Sequence, residues 1–199
     1  MSTETSFEYT ETAPSGSLAG SYLWSDPKNW SNGVPTSGDS VTVPYNSAGV
    51  TYDDIGSLSV AELTLDSGEN ENGLEVVDGT LAIGTLATSN GFAEVIADPT
   101  GLVTVGSLAA GVNVDLFSYG SGALLVDSSP TDAGTVYYDV YDGGMVEFSS
   151  GSPTGVATFD TPQDFGGDEP GTSGGTFAFE SPGSVIATPL EQVDELGIG

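Results

Sequence analysis

Seven short strand-like phrases in this chain each begin at a glycine. Gly49 leads Val50-Thr51-Tyr52-Asp53, Gly73 leads Leu74-Glu75-Val76-Val77-Asp78, and Gly101 leads Leu102-Val103-Thr104-Val105. Gly122 leads Ala123-Leu124-Leu125-Val126-Asp127, and Gly144 leads Met145-Val146-Glu147-Phe148. Gly155 leads Val156-Ala157-Thr158-Phe159-Asp160, and Gly175 leads Thr176-Phe177-Ala178-Phe179-Glu180. With Gly155 set aside, successive glycines stand 24, 28, 21, 22 and 31 residues apart. A second phrase is interleaved: Ile55-Gly56-Ser57-Leu58, Ile83-Gly84-Thr85-Leu86 and Val105-Gly106-Ser107-Leu108. Two strand phrases per step of this length point to an all-β chain wound as a parallel β-solenoid, each turn stacking on the one before. An antiparallel β-sandwich or barrel with chance similarity between its strands is the other reading.

A solenoid also accounts for a composition that a thick globular core would not. Only 37% of the 199 residues are hydrophobic and 29 are glycine, which suits a narrow core and many tight turns. The length fits one domain, with residues 1–17 as an N-terminal strand and linker and 18–199 as the solenoid. Charge is the second constraint. There are 29 Asp and Glu against one basic residue, Lys28, and no His, for a net charge of -28. Such a chain has nothing with which to displace counterions from phosphates, so nucleic acid and anionic membranes are excluded as partners. The absence of Cys and His removes disulfides, thiol chemistry and zinc. No apolar run is long enough to span a membrane. Residues 1–12 are polar and acidic, without the basic and apolar regions of a secretory leader. Leaderless bacterial export is the expected route, beside a cytosolic location or a leader already removed.

Both tryptophans, Trp24 and Trp30, fall in one stretch, Trp24-Ser25-Asp26-Pro27-Lys28-Asn29-Trp30-Ser31-Asn32-Gly33-Val34-Pro35. The first rung of a solenoid presents unpaired backbone groups above an apolar core and has to be covered. Two indoles beside two turns predict an N-terminal cap leading into Val41-Thr42-Val43. A platform stacking on sugar rings is the competing role, joined by tyrosines such as Tyr138 and Tyr141. Ahead of the cap, Thr5, Phe7 and Tyr9 form one face of an alternating strand. That strand has three courses: folding back on its own coil, hanging loose, or crossing to the exposed edge of a second copy as a donor strand. At the other end, Thr188-Pro189-Leu190-Glu191 and the spacing of Leu190, Val193 and Leu196 predict a short helix over 189–196.

The tryptophan stretch, with Gly38-Asp39-Ser40-Val41-Thr42-Val43 and Gly56-Ser57-Leu58-Ser59-Val60-Ala61-Glu62-Leu63-Thr64-Leu65 behind it, resembles a known segment. It is similar to the opening of the β-helical repeat regions in secreted bacterial adhesins of the autotransporter and haemagglutinin-like type. The resemblance covers residues 22–66 and is diffuse beyond. It implies a parallel β-helix and a role in surface adhesion or matrix building. The chain is short beside that family and shows no outer-membrane barrel segment.

Catalytic chemistry is not expected. A nucleophilic triad lacks its usual base when His is missing. Lys28 beside Asp26 reads as a surface ion pair. Asp53 and Asp54 are adjacent, and adjacent strand residues face opposite ways, so they do not form a glycosidase pair. Acids do recur at the ends of the strand phrases: Asp53, Asp78, Asp127, Asp160 and Glu180. Stacked one rung apart, at about 4.8 Å, they would form a ladder relieved by bound cations. Calcium is the one cofactor this pattern suggests, with Asp66, Glu69 and Glu71 in one candidate loop and Asp164, Asp168 and Glu169 in another. Solvated turns of the Asx kind are the simpler reading of the same acids.

These readings together lead to an expected function: a non-enzymatic, extracellular or cell-surface structural protein, assembling with itself into a fibre, biofilm matrix or adhesin. A carbohydrate-binding module with an extracellular polysaccharide as partner, or a calcium-held surface-layer subunit, are the other expectations.

Overall fold

The structure is a computed structural model. It describes residues 3–46, 48–53, 56–66, 72–120, 123–126, 135–141, 144–148, 156–160, 176–179 and 195–198. Its strands are β1 (Glu4–Ser6), β2 (Ser40–Val43), β3 (Val50–Tyr52), β4 (Ser57–Asp66), β5 (Asn72–Val76), β6 (Gly79–Ser89), β7 (Ala93–Ala97) and β8 (Gly101–Val105). Then come β9 (Asn113–Tyr119), β10 (Ala123–Val126), β11 (Thr135–Tyr141), β12 (Met145–Phe148), β13 (Val156–Asp160), β14 (Thr176–Phe179) and β15 (Glu195–Ile198). From β2 to β13 consecutive strands alternate between two sheets. One is nine-stranded in the order β1-β2-β4-β6-β8-β10-β12-β14-β15, the other six-stranded in the order β13-β11-β9-β7-β5-β3. Neighbours in both run parallel. The chain is therefore a parallel β-solenoid, and the sandwich reading is set aside.

Register shows why the narrow core suffices. Leu58 pairs with Leu81, Leu81 with Val103, Val103 with Leu124 and Leu124 with Val146. On the six-stranded sheet Val50 pairs with Leu74, Leu74 with Val95, Val95 with Leu116 and Leu116 with Tyr138. Like sits on like, rung upon rung, and the two inner faces meet in one continuous apolar cluster. Each rung buries only a few branched side chains, yet all those described are almost fully enclosed. At roughly 25 cal/mol per Å² of apolar surface, that burial is the main stabilising term.

The glycine-led phrases turn out to serve both sheets. Those led by Gly49, Gly73 and Gly155 are β3, β5 and β13 of the six-stranded sheet; those led by Gly101, Gly122, Gly144 and Gly175 are β8, β10, β12 and β14 of the nine-stranded one. The 28-residue step from Gly73 to Gly101 therefore crosses from one sheet to the other and is not a rung. The remaining steps are rungs. On the nine-stranded sheet glycine stands at the strand start because the backbone of the rung below approaches there; on the six-stranded sheet Gly49 has a φ of 65° and Gly73 meets only the Glu94 side chain, at 3.5 Å. A Cβ on Gly101 would lie 1.9 Å from the Val76 carbonyl oxygen, and one on Gly144 would lie 2.3 Å from that of Ser118.

The interleaved phrase marks a corner. Strand β4 buries Leu58 and Val60, then Leu63 and Leu65; β6 buries Leu81 and Ile83, then Leu86. Alternation slips by one residue at Ala61-Glu62 and again at Gly84-Thr85, where two successive residues face outward and the strand bends. Val105-Gly106-Ser107-Leu108 repeats the move, and Leu108 bridges to Leu86. Ile55-Gly56-Ser57-Leu58 does not belong to this corner, because Leu58 pairs with Leu81. The true counterpart below Ile83-Gly84-Thr85-Leu86 is Val60-Ala61-Glu62-Leu63.

The C-terminal helix is corrected in part. Glu195–Ile198 is strand β15, with Leu196 opposite Phe177 and Gly197 opposite Ala178; residues 189–194 lie outside the described residues. A helix of two turns is marginal on its own, while a parallel strand adds a further rung of backbone hydrogen bonds.

Candidate functional surface

The first rung is closed by the chain's own N-terminus. Strand β1 lies parallel to β2, with Glu4 opposite Ser40, Thr5 opposite Val41 and Ser6 opposite Thr42. Thr5 and Phe7 are buried. Phe7 then bridges antiparallel to Trp30, and its N–H donates to the Thr42 carbonyl. Tyr9 is half-buried against the core, has a φ of 49°, and its hydroxyl donates to the Pro44 carbonyl. Of the three courses open to this segment, the structure takes the first. The six-stranded sheet is closed by the same region. Leu23 bridges in parallel to Thr51, and Trp24 N–H donates to the Thr51 carbonyl.

Both indoles fill the space beneath this cover. Trp24 is 0% exposed and Trp30 4%. They belong to a run of edge-to-face rings: Tyr22 to Tyr9 at 5.1 Å, Tyr9 to Phe7 at 4.8 Å, Phe7 to Trp30 at 4.7 Å, Trp30 to Trp24 at 4.6 Å, and Trp24 to Tyr52 at 5.6 Å. Such pairs contribute about 0.5–1.5 kcal/mol each beyond their burial. The Trp30 indole N–H donates to the Trp24 carbonyl at 2.6 Å. The cap reading of the tryptophans therefore holds, and the sugar platform loses them because no ring face reaches solvent. Tyr138 leaves the platform for the same reason. It lies in the interior beside Val136 and Val140 at 0% exposure. For Tyr141 the structure gives only its place at the end of β11, opposite Tyr119.

Two polar residues hold the cap, and sequence reading passed over both. Asn29 is fully buried at the end of a 3-10 turn, Pro27–Asn29. Its Oδ1 accepts from the N–H groups of Thr10 and Glu11, and its Nδ2 donates to the Glu11 and Leu23 carbonyls. One side chain thus ties residues 10, 11 and 23 together. Asp39 accepts from the N–H groups of Thr36 and Thr3 and from the Thr36 hydroxyl. The Thr36 and Thr3 N–H groups hold its carboxyl below the usual carboxylate range. Lys28 pairs with Glu11, which raises its pKa; Asp26 instead accepts from the Lys28 N–H and caps the turn.

Of the acids expected to form a ladder, the two whose side chains are described turn to local donors. Asp53 accepts from the N–H and hydroxyl of Ser25, Asp78 accepts from the Gly79 N–H, and Asp66 accepts from Asn90 Nδ2 at 3.2 Å. Asp160 ends β13 in the six-stranded sheet, opposite Asp139. Among the described residues no three acids gather to hold a metal ion. Glu69, Glu71, Asp127, Asp164, Asp168, Glu169 and Glu180 lie outside the described residues. Glu75 shifts in the opposite direction to Asp39. Glu75, on the outer side of β5, is pushed up by burial first and then by the charge of Asp98.

What does reach solvent is a row of aromatic side chains on the outer side of the six-stranded sheet. Strand alternation turns Glu94 and Ile96 of β7, and Asp115, Phe117 and Tyr119 of β9, outward. Tyr137 of β11 faces the same way. Tyr119 is 44% exposed and Tyr137 37%. Phe92, just ahead of β7, meets the Tyr137 ring at 5.4 Å across the intervening β9. In register, Glu94 lies opposite Asp115 and Asp115 opposite Tyr137. This surface was legible in outline. Val136, Tyr138 and Val140 share one parity of β11, which sends Tyr137 to the other face.

Comparison with protein-family models, with curated proteins and with solved structures finds no match.

Proposed function

We propose that this chain is a rod-like structural element of a bacterial cell surface, extracellular matrix or adhesin, acting through its shape and the side chains it displays. The observation that carries this reading is the contrast between its end and its body. The end is closed by residues of the same chain, and the body repeats one rung with its outer faces turned to solvent. A net charge of -28 with a single lysine makes nucleic acid and anionic membrane unsuitable partners. It also makes copies repel at low ionic strength, so association between copies follows salt as the Debye length shrinks. In this reading the N-terminal strand closes its own coil, and copies meet through their sides. The resemblance of residues 22–66 to secreted β-helical adhesins supports the extracellular setting.

The test is an antibody raised against the purified chain and applied to intact cells of the source organism. Surface or matrix labelling before lysis is the expected result. Labelling only after lysis overturns the reading. Electron micrographs of the purified protein at low and high salt supply the second arm, with single rods giving way to associated rods as salt rises.

A further inference from the structure

We propose that the outer aromatic face of the six-stranded sheet is a docking surface for a basic, Lys- or Arg-rich extended segment of another protein. The proposal rests on three observations. The first is exposure. Tyr119 and Tyr137 are, with Tyr45, the exposed large hydrophobic side chains among the described residues. The second is arrangement. Phe92 and Tyr137 meet over β9, with Phe117 and Ile96 in register beside them and Tyr119 two residues further along the strand. These residues lie on or beside three neighbouring strands about 4.8 Å apart, so they form a cluster across successive rungs rather than a lone ring.

The third is charge. The row that ends in Tyr137 holds Glu94 and Asp115, and the whole chain carries -28. Aromatic faces backed by carboxylates favour cations. An ammonium or guanidinium group over a ring gains about 0.5–1 kcal/mol at exposed sites, and the surrounding field concentrates basic segments near the surface. A second copy of this chain cannot be the occupant, because its one basic residue, Lys28, is paired with Glu11 in the cap. The partner is therefore a different, basic molecule. A neutral glycan would gain stacking from the rings but nothing from the charge.

The test is a fluorescence-anisotropy titration of the full chain with labelled oligolysine, with a neutral Gly/Ser peptide and a neutral β-glucan oligosaccharide as the other probes. The double variant Tyr119→Ser/Tyr137→Ser is expected to weaken oligolysine binding about fivefold to thirtyfold. Tyr45→Ser, which removes an exposed ring elsewhere, is expected to change it less than twofold. Tyr137→Phe keeps the ring and is expected to retain the affinity, which separates ring loss from misfolding. An equal effect of Tyr45→Ser and the double variant would mean diffuse attraction to a polyanion and overturns the proposal. So does an unchanged affinity in the double variant. Binding of the oligosaccharide that depends on Tyr119 and Tyr137, with oligolysine indifferent to both, overturns it in favour of a glycan.

Discussion

The cap and the body of this solenoid are built by opposite means. In the body each rung repeats the last: branched apolar side chains face inward, backbone bonds link neighbours, and the same residue type recurs at the same station. Leu63, Leu86 and Leu108 are one such row. In the cap nothing repeats. Six rings meet edge to face, Asn29 binds four backbone groups, and Asp39 gathers three donors. The difference follows from what each has to satisfy. An interior rung finds partners above and below for every backbone group. The first rung lacks a neighbour on one side, and its apolar residues would face water. Side-chain hydrogen bonds and large rings replace the missing rung.

Two glycines show two different requirements. At Gly101 of the body the requirement is space, since the carbonyl of the rung below occupies the place of a Cβ. At Gly38 of the cap it is backbone conformation, with a φ of 89° and no atom within 4 Å of a Cβ.

Perturbing the two regions in parallel sharpens the comparison. The largest effect is expected in the cap. Trp30→Ala removes the ring that joins Phe7 to Trp24 and should cost about 3–5 kcal/mol in urea unfolding. A loss well under that would mean the rings do not carry the end. In the body, Gly101→Ala forces the rung away from Val76 and should cost about 3 kcal/mol, with Gly106→Ala, whose nearest contact is 2.9 Å, costing less. Reversal of that order would contradict the stacking described here. In the cap again, Gly38→Ala should cost only about 1–2 kcal/mol, the strain of a left-handed backbone without a clash.

The smallest effect is in the pH dependence. Burial and Asp98 favour the protonated form of Glu75, so the folded state binds this proton more tightly than the unfolded chain does. The associated stability is present below the ordinary carboxylate range and is lost as pH rises through the raised Glu75 value. Glu75→Gln should therefore stabilise the protein at neutral pH and leave its acidic-side stability nearly unchanged, as read from melting temperatures across pH. Asp39 works in the opposite sense: its lowered pKa gives stability above the ordinary range that is lost on acidification.

The body was the legible part. Glycine-led phrases and their spacing were enough to identify a solenoid, because each rung restates the same physical requirement in the same residues. They were not enough to sort phrases between sheets, since a leading glycine answers to different requirements in the two. Gly101 leaves room for the Val76 carbonyl, whereas Gly73 meets only the Glu94 side chain at 3.5 Å, and the sequence writes both as glycine. The cap was legible only as a concentration of tryptophan. Asn29 carries no sequence mark that separates it from a solvent-facing turn asparagine, because its importance lies in distant backbone groups at residues 10, 11 and 23. Asp53 and Asp78 turn to the Ser25 and Gly79 donors beside them, and position at the end of a strand does not say which donors lie there. Tyr137 is within reach of strand parity, whereas aromatic content alone does not separate it from the buried Tyr138.

The central claim is that the N-terminal segment closes its own coil. Sedimentation velocity of the full chain and of a chain lacking residues 1–11, at matched ionic strength, tests it most directly. Removing the segment strips β1 from β2 and uncovers Trp30, so the truncated chain is predicted to associate more strongly than the full chain. Weaker association after truncation would mean that the segment joins one molecule to the next, and would contradict the account.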